Sequence, residues 1–463
     1  MNRFLIKIFF ISFYFVNSQE IPNEFFLFIK QKINFDSRKN WKNLTTLGSP
    51  RYQDLKIDKN YKKDSLYIKT RYGLFKKGNN IALYGYGNFI YQEYLYGYLY
   101  PRIVNNPEGF KRYSGIPRDI SRNGFSSGET DLSGIGFQNN WLTFQLGRGR
   151  ESWGAGNNIQ LALSENAPSY DYIMLGSNYG KIRVKYIHGF LESNIEKINR
   201  YITARGLEWT NRENLVIGIS ETVIYSGLNR PIDFGYLNPI STHLEIELNN
   251  RLNVIGDGNS NAVWQISLDT RLLKNKLRLS LNFLIDEFVI DKIQIDQGKE
   301  HGKAYSFRSS YTILDFDKTF LSIYHHHINV GTPTFRHGDG YNNFVQRGKP
   351  LGWEFGSDGF ENTMGLNLLL KDKIILDFKI RGIILGEGRI LINPYKRYAD
   401  YQKDIFPSGV LEKRNQLSFD FIYWWKKNIS ISSGLNLRKL DNKSININNY
   451  FGFDIYFPKN FII

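Results

Sequence analysis

Apolar and polar residues alternate strictly in segments that recur from about residue 64 to the C-terminus. In the segment 277–285, LRLSLNFLI, every odd-numbered position is leucine, phenylalanine or isoleucine. Successive side chains of a β-strand point to opposite faces of its sheet, so a period of two predicts strands. The chain is therefore predicted to be all-β. Comparable alternation is found in the segments 66–72, 264–269, 376–381 and 416–423.

The polar face of the predicted strands carries full charges, among them Arg278, Asp377 and Asp420. A soluble β-sandwich also has one apolar face, but charges on the opposite face suit the water-filled lumen of a transmembrane barrel. The mean hydropathy of -0.39 agrees with a barrel, because each strand shows only every second residue to lipid. Since the chain has no cysteine, disulfides and thiolate metal sites are excluded.

The predicted sheet must close on itself, because an open edge in lipid would leave peptide groups without hydrogen bonds. Roughly 22 residues per strand with its loop predict a transmembrane antiparallel β-barrel of about 18 strands, with about 16 as the alternative. Tyrosines and phenylalanines between residues 84 and 100 are typical of an interfacial aromatic girdle. Phe451–Phe457 resembles the closing strand of outer-membrane proteins, but the residues after it leave its register open.

The first residues of the chain have the pattern of an export signal. Arg3 and Lys7 form a basic start, Ile8–Val16 is an apolar core, and Ser18 is a small residue at a cleavage position. We expect the mature protein to begin at Gln19. Mass spectrometry of the outer-membrane form checks this prediction, and a mature chain that keeps its initiator methionine would contradict it.

Residues 19–63 lack the strand alternation of the rest of the chain. Apolar residues at helical spacing between positions 23 and 33 are followed by a polar, irregular stretch. We interpret this part as a short N-terminal periplasmic segment or plug that folds against the barrel, and a disordered leader is the alternative. The predicted organisation is a signal peptide at 1–18, this segment at 19–63 and the barrel at 64–463.

The formal net charge of +16 has two interpretations. An electropositive lumen would attract acidic glycans or other anions through its long-range field. Alternatively, the lysines are scattered without a function, since lysine, asparagine, isoleucine and tyrosine are abundant together. Export of a barrel argues against nucleic acid as a partner.

A series of short blocks distinguishes this sequence from a generic barrel. The longest, at 147–172, reads GRGRESWGAGNNIQLALSENAPSYDY. In combination and order, the blocks resemble the capsule assembly Wzi family of outer-membrane barrels over about 141–365. Lys349 stands where that family's pattern has glutamine, and the segment 19–63 is too short for the helical bundle of some members. Further blocks occupy 182–189, 204–209, 221–225, 237–239, 284–288, 347–352 and 356–358.

The resemblance implies a lectin-like barrel that holds capsular polysaccharide or exopolysaccharide at the cell surface without enzymatic turnover. The expected partners are an acidic polysaccharide and outer-membrane lipid, and the chain is expected to be a monomer without a cofactor or metal. Two other function classes remain open from the residues alone. One is a passive pore or small-solute transporter, and the other is a barrel-embedded hydrolase.

The block at 147–172 also supplies the chemistry of a glycan site. A sugar offers C–H groups to a flat aromatic face, while hydroxyls and carboxylates match planar amide and guanidinium groups. The alternative is that the charged residues only neutralise one another, as they do in many barrel interiors. The candidate polysaccharide-binding residues are Arg148, Arg150, Glu151, Trp153, Asn157 and Asn158.

Strand parity constrains the two arginines of this block. Phe144 and Leu146 are predicted to face lipid, so Arg148 and Arg150 would do so too if the strand continued. We therefore expect a bulge or a strand end at the neighbouring glycines, which would turn both arginines inward or into a loop. If the block is only structural, Trp353 and Phe355 in the long loop at 341–361 offer another aromatic surface for a sugar.

Histidine and serine residues are the candidates for metal binding and catalysis. His325 and His327 would share one face of a strand and could begin a zinc site, but no further ligand is recognisable at a suitable spacing. A structural or lumen-lining role is favoured for these histidines. A hydrolase would need a serine, a histidine and an acid brought together, and neither His188 nor Ser220 has features of a nucleophile or base.

Overall fold

The computed structural model describes most of the barrel region and two short parts of the N-terminal segment. The predicted signal peptide lies outside the described residues. The described ranges are 29–30, 32–33, 44–48, 65–92, 94–110, 112–118, 123–193, 197–248, 260–287, 289, 292–338, 340–391, 405–426, 428–441 and 444–463.

Eighteen antiparallel strands form one closed sheet, as the sequence predicted, and two very short strands form a separate hairpin. In chain order the strands are β1 Leu66–Lys77, β2 Asn80–Tyr91, β3 Leu95–Val104, β4 Ser127–Gln138, β5 Leu142–Gly149, β6 Tyr170–Asn178, β7 Ile182–Phe190, β8 Ile198–Thr210, β9 Leu215–Leu228, β10 Ser260–Leu272, β11 Leu277–Glu287, β12 Gly302–Phe316, β13 Thr319–Val330, the hairpin β14 Val345–Gln346 and β15 Lys349–Pro350, β16 Gly359–Leu370, β17 Ile374–Leu385, β18 Glu412–Lys426, β19 Ile429–Leu440 and β20 Asn446–Ile462. Short helices follow β9 and β11, namely α1 Phe234–Leu237, α2 His243–Leu248 and α3 Lys292–Asp296.

The barrel closes where the last strand pairs with the first. Strand β20 continues through Pro458 to Ile462, and Ile462 lies opposite Tyr67 of β1. The register that the sequence left open is therefore set by pairing along almost all of β1. Closure satisfies the peptide groups that would otherwise form two open edges.

The two faces of the strands differ as the alternation predicted. On β11, Leu281 and Phe283 are exposed on the outside, whereas Arg278, Ser280 and Asn282 are buried on the inside. An apolar outer face suits lipid, and a polar inner face suits a wet lumen. No helix within the described ranges is long and apolar enough to cross a membrane.

The two ends of the barrel are unequal. At one end, consecutive strands are joined by turns of two to four residues, as between β2 and β3 or between β12 and β13. The longest connections lie at the other end. Two of these, the inserted loop (residues 150–169) between β5 and β6 and the connection between β13 and β16, are rich in buried residues.

The inserted loop folds into the lumen and packs against the inner wall. Ile159, Leu161 and Leu163 are almost wholly buried. The N–H of Ala155 donates to Oδ1 of Asn282 on β11 at 2.7 Å, so the loop is tied to the far wall. The loop therefore occupies lumen space that would be empty in an open pore.

Part of the N-terminal segment also lies inside the barrel. The N–H of Thr46 donates to Glu208 on β8 at 2.6 Å, and Arg183 on β7 donates to the carbonyl of Leu44 at 2.7 Å. Nearer the short-turn end, the helical residue Ile33 packs in an apolar cluster on the inner wall that includes Phe320. These contacts agree with a plug, while the domain boundaries at 18 and 63 stay predictions.

Candidate functional site

A polar cavity of about 900 Å³ lies between the inserted loop and the wall formed by β12, β13 and β16–β20. Among the described lining residues, ten are asparagine, six are lysine or arginine, and four are aspartate or glutamate. The cavity extends from the turn between β1 and β2, at the long-loop end, to the helical residues Ile29, Lys32 and Ile33. Its size and lining suit a polar chain molecule better than an apolar ligand.

Most charges on the cavity wall are paired within the wall. Nη2 of Arg381 lies 2.8 Å from Oε2 of Glu361, and Nζ of Lys379 lies 3.4 Å from Oδ2 of Asp377 and 4.0 Å from Oδ2 of Asp420. These residues come from neighbouring strands β16, β17 and β18 and point inward because they share the polar parity. Opposite charges lie side by side in these pairs, so this part of the wall is polar but carries little net charge.

Cationic side chains lie over the faces of two aromatic rings on the cavity wall. The hydroxyl of Tyr450 donates to Oδ1 of Asp420 at 2.7 Å, and Nζ of Lys77 lies 4.0 Å from the centre of the Tyr450 ring. The guanidinium of Arg308 lies 3.8 Å from the centre of the Tyr324 ring. Such cation–π contacts orient the rings and hold the cations near the cavity.

Three residues of the predicted binding block, Arg150, Glu151 and Trp153, are buried and are not part of the cavity lining. Trp153 is 2% exposed and forms isolated β-bridges with Leu47 and Leu163. Its indole N–H donates to Oε2 of Glu151 at 2.9 Å, and Lys185 donates to the same oxygen at 2.7 Å. No ring face of Trp153 is available to a sugar, so Glu151 and Trp153 anchor the inserted loop in this structure.

Arg150 is likewise a buried structural residue. It is 0% exposed and its guanidinium contacts the carboxylate of Asp131 on β4. The chain turns inward directly after β5 ends at Gly149, which places Arg150 inside as expected.

Arg148 remains on the outer face of the barrel, whereas both arginines were expected to turn away from it. Strand β5 continues without a bulge to Gly149, so Arg148 keeps the outward parity of Leu146. Its Nη1 lies 3.0 Å from Oδ2 of Asp171, whose side chain is 63% exposed. The expectation was wrong for Arg148, because β5 neither ends nor bulges at Gly147 but continues to Gly149.

Asn157 and Asn158 are the two predicted residues that line the cavity. Nδ2 of Asn157 donates to the carbonyl of Lys32 at 3.1 Å, and Nζ of Lys32 donates to Oδ1 of Asn158 at 2.6 Å. The inserted loop thus meets the N-terminal segment at this side of the cavity. The sequence analysis did not identify the residues of β16–β20 that line the cavity. The signal that could have found them is a polar or charged side chain at an inward-facing strand position.

The alternative aromatic platform is also mostly covered. Trp353 borders the cavity, but it is 4% exposed, and its indole N–H donates to Oε2 of Glu361 at 3.2 Å. Phe355 packs edge-on against it, and the guanidinium of Arg414 lies 5.1 Å from the centre of the Phe355 ring. Trp353 therefore forms part of the cavity wall, and the rings of Trp353 and Phe355 are largely covered by other side chains.

The histidines with candidate metal-binding or catalytic roles do not come together in one site. His325 and His327 share the outward face of β13, as predicted, so a lumen-lining role is wrong for them. His326 points inward, lines the cavity and lies 3.0 Å from Glu361. Among the described residues, no group of three potential ligands could hold a metal ion. Nε2 of His188 lies 2.7 Å from the hydroxyl of Tyr225, and the strand register places Ser220 opposite Gly206 and Gln265 instead.

Comparison with known proteins agrees with the architecture. Wzi of Escherichia coli, an outer-membrane protein involved in group 1 capsule assembly and a carbohydrate-binding β-barrel, has a similar fold. The TM-score is 0.59 at 12% identity over 86% of this chain and 85% of that chain. The outer-membrane protein OprD of Pseudomonas aeruginosa gives a TM-score of 0.44 at 10% identity over 90% and 98%. No curated protein matches this sequence.

Family membership follows from the sequence match. The family model for capsule assembly protein Wzi matches residues 61–448, which is most of the chain. The match includes all the blocks identified in the sequence, and the closed 18-stranded barrel places the protein in the bacterial outer membrane. The chain belongs to the Wzi family of capsule assembly proteins.

Proposed function

We propose that this barrel binds capsular polysaccharide or exopolysaccharide in its lumen cavity and helps to anchor or assemble it at the cell surface. The observation that carries the proposal is the polar cavity of about 900 Å³ that opens between the inserted loop and the barrel wall. Family membership supports the role in capsule assembly. The carbohydrate-binding description of the structurally similar Escherichia coli protein supports the choice of ligand.

The lining chemistry suits a glycan. Amide side chains donate and accept hydrogen bonds at the same time, as sugar hydroxyls do. Asparagines such as Asn158 and Asn367 face the cavity from both the inserted loop and the wall. The buried block around Trp153 supports this arrangement indirectly, because it holds the inserted loop in place.

We further propose that the polysaccharide is acidic. Six lysines and arginines against four acids give the described lining an excess of positive charge, in the same sense as the net charge of the chain. Lys77 and Arg112 contribute to this excess at the long-loop end, where a glycan would enter. The attraction of exposed charges is screened beyond roughly 8 Å at physiological ionic strength, so binding is expected to weaken with salt.

The proposed role is retention without turnover. Within the described residues, His188 contacts a tyrosine and lies on a different strand from Ser220, at a different register level. Their placement does not form the nucleophile–base pair that acyl transfer by serine would need. Under the proposed role of retention, incubation of the polysaccharide with the purified barrel is expected to leave its length distribution unchanged.

Filling the cavity tests the binding proposal. Asn367 on β16 lines the cavity, so an Asn367→Trp side chain would occupy space that the glycan needs. We expect this variant to bind capsular polysaccharide fragments at least about 10-fold more weakly than the unmodified barrel, measured by calorimetry in detergent. The matched control is Met364→Trp on the same strand, whose side chain is 63% exposed on the outer face.

The rival pore function predicts a different pattern. A pore would show steady single-channel current that falls when Asn367→Trp narrows the lumen, with no measurable affinity for the glycan. Equal glycan affinity in the two tryptophan variants would contradict binding in this cavity.

A further inference from the structure

Three uncharged side chains form a continuous row across the cavity wall. Ser418 on β18 lies directly opposite Asn436 on β19, and Asn436 lies directly opposite Asn448 on β20. All three line the cavity. Because neighbouring strands are about 4.8 Å apart, this uncharged strip (Ser418, Asn436 and Asn448) presents a hydrogen-bonding group roughly every 5 Å across the wall.

One atom of the uncharged strip has an unmet hydrogen-bonding capacity. Oδ1 of Asn436 is buried and has no hydrogen-bond partner among the described residues. Buried polar atoms without a partner are rare in folded proteins, so each one requires an explanation. A hydroxyl or amide donor from a ligand in the cavity would satisfy this oxygen.

The surroundings of the uncharged strip separate it from the ion pairs of the wall. Lys379, directly opposite Ser418, is already held between Asp377 and Asp420. Oγ of Ser418 accepts a hydrogen bond from Gln416 at 3.1 Å, which leaves its own hydroxyl hydrogen to donate. The strip therefore offers donors and acceptors without a net charge.

We propose that the uncharged strip is a subsite for an uncharged sugar unit that carries hydroxyl or acetamido groups. A carboxamide matches such groups because each side supplies one donor and one acceptor. A carboxylate has only acceptor oxygens and would leave Oδ1 of Asn436 without a donor. The inference rests on the proposed function: it assigns the uncharged residues of a bound polysaccharide to this strip and its acidic residues to other parts of the cavity.

Calorimetry with two oligosaccharides on the detergent-purified full-length barrel tests the subsite. The first probe is a tetramer of N-acetylglucosamine, which is neutral, and the second is an oligomer of galacturonic acid. We expect the neutral tetramer to bind with an affinity that does not change between low and high salt. Asn436→Leu removes the hydrogen bond and should weaken this binding by about 5- to 10-fold.

Two further variants control for folding. Asn448→Ala changes an exposed residue of the uncharged strip and should weaken tetramer binding in the same direction without affecting the fold. Asn415→Leu, on the outer face of β18, repeats the leucine substitution outside the cavity and should leave binding within about twofold.

The outcomes separate this inference from the proposed function. If the galacturonic acid oligomer binds but the neutral tetramer does not, the subsite is wrong and polysaccharide binding stands. Unchanged tetramer affinity in both Asn436→Leu and Asn448→Ala would also overturn the subsite. If neither oligosaccharide nor the native polysaccharide binds the unmodified barrel, the proposed function fails and the subsite fails with it.

Discussion

Replacing Asp131 with alanine is expected to lower the free energy of unfolding by about 3–5 kcal/mol, because it removes one partner of a buried ion pair. Asp131 contacts the guanidinium of Arg150 and lies 3.4 Å from that of Arg102. Its loss would leave both cations inside the wall without this carboxylate. Denaturant unfolding of the detergent-solubilised barrel, followed by tryptophan fluorescence, measures the change.

The exposed pair between Arg148 and Asp171 supplies the control for this prediction. Asp171→Ala removes a carboxylate of the same type from the outer surface, and surface ion pairs contribute only about 0–1 kcal/mol. Similar losses in the two variants would contradict the assignment of Arg150 to the buried scaffold. Glycan bound per folded molecule should stay unchanged in Asp131→Ala, since the pair lies outside the lining of the cavity.

The second large effect concerns the lipid-facing surface. Phe419 is exposed on the outer face near the middle of β18. Phe419→Arg should destabilise the barrel in a bilayer by about 2–4 kcal/mol, because it places a charge near the bilayer midplane. Unfolding from lipid vesicles gives the value.

The neighbouring residue tests whether this effect depends on the face. Ser418→Arg introduces the same side chain into the polar cavity. Lys379 lies directly opposite this position, and Asp377 and Asp420 form the next inward-facing pair along the two strands. We expect Ser418→Arg to cost less than the Phe419 variant by at least about 2 kcal/mol. Equal costs at the two positions would mean that the strand parity has been assigned incorrectly.

Much of the fold could be predicted because strand alternation is a local property. The segment around Leu281 and Phe283 shows the outward face without any knowledge of its neighbours. Chain length, at roughly 22 residues per strand with its loop, then predicts about 18 strands. The last strand was less certain because its extension past Pro458 depends on pairing with β1.

The site was harder to predict because it depends on long-range folding. The block with Trp153 was predicted to bind polysaccharide, and that role stays a prediction. The burial of Trp153 follows from the insertion of a loop into the lumen, which no local pattern reports. The different positions of Arg148 and Arg150 depend on where β5 ends. Asn157 and Asn158 were predicted as binding residues of the same block, and the structure adds that they line the cavity.

The uncharged strip was not predicted at all. Inward parity could be read for Ser418, but the row that joins it to Asn436 and Asn448 requires the register of three strands. Register is set by hairpin geometry and by closure of the barrel, so a row of side chains becomes visible only in the folded sheet.

The central claim is that the lumen cavity holds surface polysaccharide. The most direct test is the amount of polysaccharide retained on cells per folded barrel molecule, compared between the unmodified protein, Asn367→Trp and Met364→Trp. Cells with Asn367→Trp are expected to retain no more polysaccharide than cells without the barrel, while cells with Met364→Trp retain the unmodified amount. Full retention per folded molecule in Asn367→Trp would contradict the claim.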